Sequence, residues 1–474
     1  MKLLSLWSLL SATTRLEIRA WIAALQPKLR QDALKLLAYL NENAAISEAD
    51  WQRETVFAYL YGNDVVYNDD WLRHAQSLLV KAIEQAIAAK KWLQEPIDAA
   101  FYIAEFYVEE KEGRYFQAAY KQLQQLNETT FPKNQEHFYR LAQAENLYFR
   151  HITDGQRVAV NNLEAIMEAQ EKHFAAAQLR TACTALSYQN FFKTSYDFGL
   201  LPALLQRIEA RNWQQTEPII GAYYFIYKMT TEITNDQLTD DYFAAFRQNM
   251  PQYAALFDKN ELRDTYISGI NYVIKRVNKG DKTYFRPLYD LYKEGIENGV
   301  LLADDGSISA FTYGNMVATG LRIGETDYIF SFLQKYKNAL PRDTRNMYYQ
   351  YALARYYYRV RDFANALPCL LKLTYSDIFL QLDTKVILLK IYYETDDLEN
   401  LEAHLRSFQQ FLLRKKTQLG YHQQNYLNII ACAKQLTLTN WTDKAEKIAL
   451  KTLLETMQPL TEREWFLETV AASG

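Results

Sequence analysis

Apolar residues recur three and four positions apart along almost the whole chain, the spacing that lines one face of an α-helix. Ala99, Ala100, Ile103, Ala104 and Tyr107 fall on one such face, and Leu201, Leu204, Leu205 and Ile208 on another. Polar or glycine-bearing breaks separate the runs at Asn41-Glu42-Asn43, Gly62-Asn63-Asp64, Asn127-Glu128-Thr129-Thr130, Thr153-Asp154-Gly155, Asn212, Asn235-Asp236 and Lys279-Gly280-Asp281. The segments between them run to about 12–20 residues, the usual length of a globular helix. Only residues 307–313 read as strand-like, and they have no partner strand. The pattern predicts an all-α protein.

A fixed spacing runs through the later part of the chain. Leu353-Ala354-Arg355-Tyr356-Tyr357 leads to Arg361-Asp362-Phe363-Ala364-Asn365-Ala366 and then to Leu370 and Leu373. Thirty-five residues on, it returns as Leu388-Leu389-Lys390-Ile391-Tyr392, Asp396-Asp397-Leu398, Leu401, Leu405 and Phe408. A weaker copy lies 37 residues earlier, in Met316-Val317, Gly320, Gly324-Glu325-Thr326, Ile329, Leu333 and Tyr336, and a trace near the front in Glu112–Ala118 positions 112–118. The unit is a helical hairpin: apolar positions 353, 357 and 360 meet 366, 370 and 373 across a turn at Arg361-Asp362. One hairpin has too small a core, whereas stacked hairpins bury a continuous one. The small Ala354 and Ala366 allow close helix approach.

At these residues the chain resembles the tetratricopeptide repeat. Leu353, Ala354, Tyr357, Asp362, Phe363 and Ala366 stand where that family places its leucine, small residue, tyrosine, turn pair and alanine. The family's early tryptophan and closing proline are missing. The likeness covers about 310–410 and extends to 100–126; elsewhere there is only helical period. It implies a right-handed superhelix of stacked helical hairpins, an α-solenoid. The front of the chain, with Ser11-Ala12-Thr13-Thr14-Arg15-Leu16-Glu17-Ile18-Arg19, Trp21-Ile22, Leu36–Leu40 positions 36–40 and Asp70-Trp71-Leu72-Arg73, is similar to the start of large all-helical proteins common in Bacteroidetes, a group without an established activity. The expected organisation is an N-terminal helical domain over 1–95, a helical-repeat segment over 96–300, and a repeat-like segment over 301–474. Asn298-Gly299 and Gly306 mark the second break.

Composition sharpens this picture. Fifteen glycines and ten prolines in 474 residues fall well below the usual levels of about 7% and 5%, too few turn residues for many short strands. Aromatic residues make up 14%, with 36 tyrosines, which argues against disorder. A net charge of −3 argues against a protein that coats nucleic acid. Cys183, Cys369 and Cys432 are odd in number and far apart, as buried thiols of a reducing compartment would be, and they offer no zinc motif. Residues 3–12 after Met1-Lys2 are short and apolar like a signal peptide. The helical period continues past Arg15, Glu17 and Arg19, however, and favours a first packed helix. No stretch reaches the roughly 18 apolar residues of a membrane span, so a cytoplasmic protein is expected.

Catalytic signatures are missing. No GxxxxGK[ST] or GxGxxG is present to cradle phosphate, and no GxSxG elbow. Glu136-His137 and Glu171-Lys172-His173 lack a second histidine at ligand spacing. Cys369 reads as core, and Asp304-Asp305 and Asp396-Asp397 as turns or caps. The expectation is a non-enzyme with no cofactor and no metal. An enzyme built from distant residues is the least favoured alternative.

The candidate chemistry is recognition. In stacked hairpins the first helices line the concave side, which brings Arg322, Tyr351, Arg355, Tyr358, Arg359, Lys390 and Tyr393 toward one groove. Cations interleaved with tyrosines suit an acidic peptide or a chain terminus. The competing account is that Tyr351, Tyr358 and Tyr393 fill the core between hairpins while the cations are solvated. A second basic cluster, Arg406, Arg414, Lys415 and Lys416, precedes Tyr421, His422 and Tyr426. It would suit RNA in a ribonucleoprotein or defence assembly, or simply complement a helix C-terminus. The reading is therefore a scaffold or adaptor for a protein or peptide partner.

Overall fold

Side-chain caps set where many helices begin. Ser11 accepts from the Thr14 amide at 3.1 Å, Asn68 from Asp70 and Trp71 at 2.9 and 3.1 Å, Ser309 from Thr312 at 3.0 Å, and Asp377 from Phe379 at 2.7 Å. Each satisfies an amide that the first turn leaves without a partner. The computed structural model describes residues 2–43, 46–47, 49–154, 157–159, 161–192, 194–234, 240–371 and 377–472. Gly155, Asn235, Asp236 and Leu373 lie outside these. The described chain is all-helical and contains no strand.

It divides into two compact units, Met1–Tyr224 with Ala255–Phe257, and Phe225–Ala254 with Asp258–Gly474. The first unit contains α1 (Lys2–Ser8), α2 (Ala12–Leu25), α3 (Gln31–Glu42), α4 (Arg53–Tyr61), α5 (Asp69–Leu93), α6 (Pro96–Glu109), α7 (Gly113–Thr129), α8 (Gln135–Thr153), α9 (Leu163–Phe192), α10 (Leu201–Arg211) and α11 (Trp213–Thr216). The division falls within α12 (Pro218–Thr234). Helices α5 and α9 have 25 and 30 residues, longer than the expected segments, because neither contains a glycine or proline to stop it.

Leu3, Leu4 and Trp7 of α1 are buried with Ile18, Leu36, Phe57 and Leu79 in one core of this unit. Arg15 donates to the Trp7 carbonyl at 2.9 Å and lies over its ring. A second core joins Ile97, Ala100 and Ala104 to Phe116, Tyr120 and Leu147. Ile103, assigned by its spacing to the same face, is 52% exposed. The buried stripe of α6 runs through 97, 100 and 104 and leaves position 103 on the far side.

The second unit continues with α13 (Asp241–Leu256), α14 (Lys259–Asn278), α15 (Phe285–Glu297), α16 (Ala310–Ile323), α17 (Thr326–Tyr336), α18 (Arg345–Arg359), α19 (Phe363–Leu371), α20 (Ile378–Glu394), α21 (Leu398–Arg414), α22 (Lys416–Leu419), α23 (Gln423–Leu438), α24 (Lys444–Thr456) and α25 (Arg463–Ala472). The strand-like residues 307–313 contribute only an isolated bridge, Leu302 to Ile308, before the Ser309 cap starts α16.

Four helix pairs close with the same turn. The amides of Glu112, Glu325, Asp362 and Asp397 each bond the carbonyl five residues back, at 2.9 Å: Tyr107, Gly320, Tyr357 and Tyr392. The preceding residue has positive φ every time, at Lys111, Gly324, Arg361 and Asp396. This 6→1 bond satisfies a carbonyl of the last helical turn and reverses the chain. Between α18 and α19, Ala354 and Ala366 are fully buried in a cluster with Leu370 and Ile391, the close approach their size permits.

Gly320 has a comparable role. A Cβ there would collide with Ile329 Cδ1 and Cγ1 on α17 and come within 3.2 Å of Tyr289. Gly320→Val is expected to cost about 1–3 kcal/mol through overpacking, measured by urea denaturation. Adding Ile329→Ala should recover part of that loss, and a neutral Gly320→Val would contradict the close approach.

Candidate functional site

The first helices of three successive hairpins, α16, α18 and α20, neighbour one another within the second unit. On their common face lies an open pocket of about 470 Å³ lined by Arg322 from α16, Tyr351, Arg355, Tyr358 and Arg359 from α18, and Asp383 and Lys390 from α20. Six of the seven residues assigned to a partner groove therefore line one cavity. Tyr393 is the exception: it lies outside the lining, edge-on to Trp465 with ring centroids 5.8 Å apart.

The tyrosines serve packing as well as lining. Tyr351 is buried and its hydroxyl donates to Asp383 at 3.2 Å. Tyr358 is half-buried and donates to Glu394 at 2.5 Å; burial first, and that carboxylate second, push its hydroxyl far above the ordinary range. The cations differ from one another. Lys390 pairs with Glu462 at 2.5 Å and lies 5.4 Å from the Trp465 ring centroid. Arg322 pairs with Glu464, which also takes Lys282; these two hydrogen bonds hold the Glu464 carboxyl below its usual value. Arg355 and Arg359 make no hydrogen bond or ion pair among the described residues, and Arg355 lies over the Tyr351 ring at 5.8 Å.

The acidic residues were not anticipated. Glu462 and Glu468 flank or belong to α25 and line the same pocket, so four cations there face three carboxylates. Nothing local in the sequence joins Arg322 to Glu464, 142 positions away. Asp383 was within reach of sequence reasoning, since seven residues before Lys390 is two helical turns on one face. It keeps solvent access along the pocket. The protein packed around it raises its carboxyl, and Arg355 and the Tyr351 hydroxyl pull it back.

A second cavity of about 390 Å³ adjoins the first through shared Tyr351, Arg355 and Asp383, and adds Phe311, Tyr348 and Phe379. Phe311 is 72% exposed and Phe379 46%. Sequence reasoning missed these aromatics because both stand in the first turn of their helices, ahead of the repeated pattern.

The second basic cluster lies along α21 and the start of α22. Arg406 pairs with Glu402 at 2.9 Å and lines a separate groove with Leu405, Lys434 and Leu438. Arg414 ends α21, Lys415 caps it and Lys416 opens α22, where cations complement the carbonyl end of a helix. Tyr421 is exposed against the His422 ring, whereas Tyr426 packs into the core around Phe408.

Other candidate chemistry resolves into structure. The Nδ1 atoms of His137 and His173 meet the carbonyls of Asn127 and Gln135 at 3.2 and 3.1 Å. Cys183 and Cys432 are free thiols pushed up by burial, Cys432 to about 11. Cys369 is in no disulfide and half-buried. Asp304 pairs with Lys259, and Asp397 caps α21 through the Asn400 amide. No group of three metal-ligating side chains occurs among the described residues. No helix among them is long and apolar enough to cross a membrane. The chain matches no protein family, no curated protein and no solved structure with which it was compared.

Proposed function

We propose that this protein is a non-catalytic interaction scaffold or adaptor, a tetratricopeptide-like right-handed superhelix in the cytoplasm that holds a partner protein along the α16–α18–α20 face. The observation that carries this reading is the cavity itself. Three first helices bring six expected side chains to one open surface with exposed aromatics beside it. Such a preformed surface loses little conformational entropy on binding and supplies the Arg and Tyr contacts that dominate interface energies.

The test is site-specific photocrosslinking in the native cell. Benzoylphenylalanine replaces Phe311 in the groove or, as control, Phe131, which is also exposed. One protein captured at 311 but not at 131, and lost by about tenfold or more with Arg355→Glu/Arg359→Glu, is the expected result. No capture at 311 overturns the reading. Capture that disappears with nuclease treatment replaces it with the nucleic-acid alternative.

A further inference from the structure

We infer that the groove takes an acidic peptide segment with an aromatic anchor, and that the chain's own C-terminal helix occupies one flank of it as an internal counterpart of that ligand. This rests on the adaptor reading and gives its partner a chemistry.

The seated segment displays what the groove accepts. Glu462 meets Lys390, Glu464 meets Arg322, and Trp465 stacks near Lys390 while its indole N–H donates to Glu394 at 2.9 Å. The pattern recognised is acid, any residue, acid, aromatic. These contacts use the cations of α16 and α20. On α18, Arg355 and Arg359 stand one helical turn apart; neither is hydrogen-bonded or ion-paired to a carboxylate, and only Arg355 has one near it, Asp383. An Arg pair at that spacing presents two planar donor sets to two carboxylates.

Beside them the pocket shared through Arg355 offers Phe311, Tyr348 and Phe379. Large exposed aromatic surface next to a cavity suits a buried apolar anchor. A segment that places an aromatic ring there and carboxylates within a few residues satisfies both halves of the groove. Of the three carboxylates lining the two pockets outside an ion pair, Asp377 caps α20, Asp383 accepts from Tyr351 and is drawn to Arg355, and Glu468 is exposed. None of them asks for a basic ligand as directly as the two guanidinium groups without a hydrogen-bonded carboxylate ask for an acidic one.

The probe is a fluorescein-labelled 12-residue peptide of alternating glutamate and serine with one central tryptophan, read by anisotropy against the full chain. Lysine-for-glutamate and alanine-for-tryptophan versions are its controls. The acidic peptide should bind, the lysine peptide should not, and loss of tryptophan should weaken binding about tenfold. Arg355→Glu/Arg359→Glu should weaken it tenfold or more with an unchanged circular dichroism spectrum. Glu462→Gln/Glu464→Gln should tighten it severalfold by freeing Lys390 and Arg322 while Phe466 keeps the helix docked.

Equal binding of the acidic and lysine peptides, no binding of either, or indifference to the arginine reversal each overturns the inference. A partner crosslinked at position 311 through a segment without acidic residues overturns it while leaving the adaptor reading standing. Peptide binding without any crosslinked partner does the reverse.

Discussion

Phe466→Ala is expected to lower the stability of the second unit by about 3–5 kcal/mol, the range for truncating a fully buried phenylalanine. Phe466 has no exposed surface and is the only fully buried side chain of α25. It enters the core that holds Phe408, Leu436, Leu450 and Leu454, with Trp465 beside it at 4.9 Å. The cost combines lost transfer energy with a cavity lined by residues that have other contacts to keep. Because Phe466 is the deepest of the α25 side chains in that core, with Trp465, Leu467 and Val470 only partly buried against it, the loss should be local before it is global. Hydrogen exchange over residues 460–472 should accelerate first, followed by a lower urea midpoint. Undocking also withdraws Glu462 and Glu464, so Lys390 and Arg322 become free. Phe466→Leu keeps most of the volume and should cost less than about 1.5 kcal/mol. A change below 1 kcal/mol for the alanine variant, with exchange at 460–472 unaltered, would mean that α25 is held by other contacts.

The all-helical class and the turns were legible because both are local. Scarce glycine and proline leave few alternatives to helix, and a pair such as Arg361-Asp362 suffices to place a reversal. The groove was legible for the same reason. Positions 351, 355, 358 and 359 fall within one arc of α18, beside the buried Ala354, so their placement along one pocket follows from period. Residues 307–313 read as strand-like because Ile308, Phe311, Thr312 and Tyr313 are β-branched or aromatic. With no strand to pair with, the Ser309 cap decides for helix. What period cannot supply is closure between distant segments. Glu462, Glu464 and Trp465 carry no signal pointing to helices 70 to 140 residues earlier, so the cations they neutralise looked free.

Acidification should destabilise the second unit through His404. Its Nε2 lies 2.8 Å from the Lys385 carbonyl, so the ring donates from that atom. Burial is the main cause that takes its pKa from 6.5 down to about 4. The Lys385 bond opposes the shift and the Lys385 ammonium adds to it. The rings of Tyr392 and Phe408 sit 5.7 and 6.0 Å away and offer no carboxylate to a charged imidazole. The unfolded chain therefore binds the proton first as pH falls. Stability is fully present above about pH 6.5 and drains between there and pH 4, by about 3 kcal/mol at the lower end. His404→Gln keeps a donor for the Lys385 carbonyl and removes the titration. The measurement is the urea stability of both proteins from pH 7 to pH 4. Their difference should change by about 3 kcal/mol across that span, in favour of the glutamine variant at low pH. A constant difference would mean that His404 is solvated and titrates normally. The consequence reaches the groove, because the same bond ties α21 to α20, the helix that carries Asp383 and Lys390. Expelling the charged, buried ring in acid should loosen that packing and weaken partner binding before the unit unfolds.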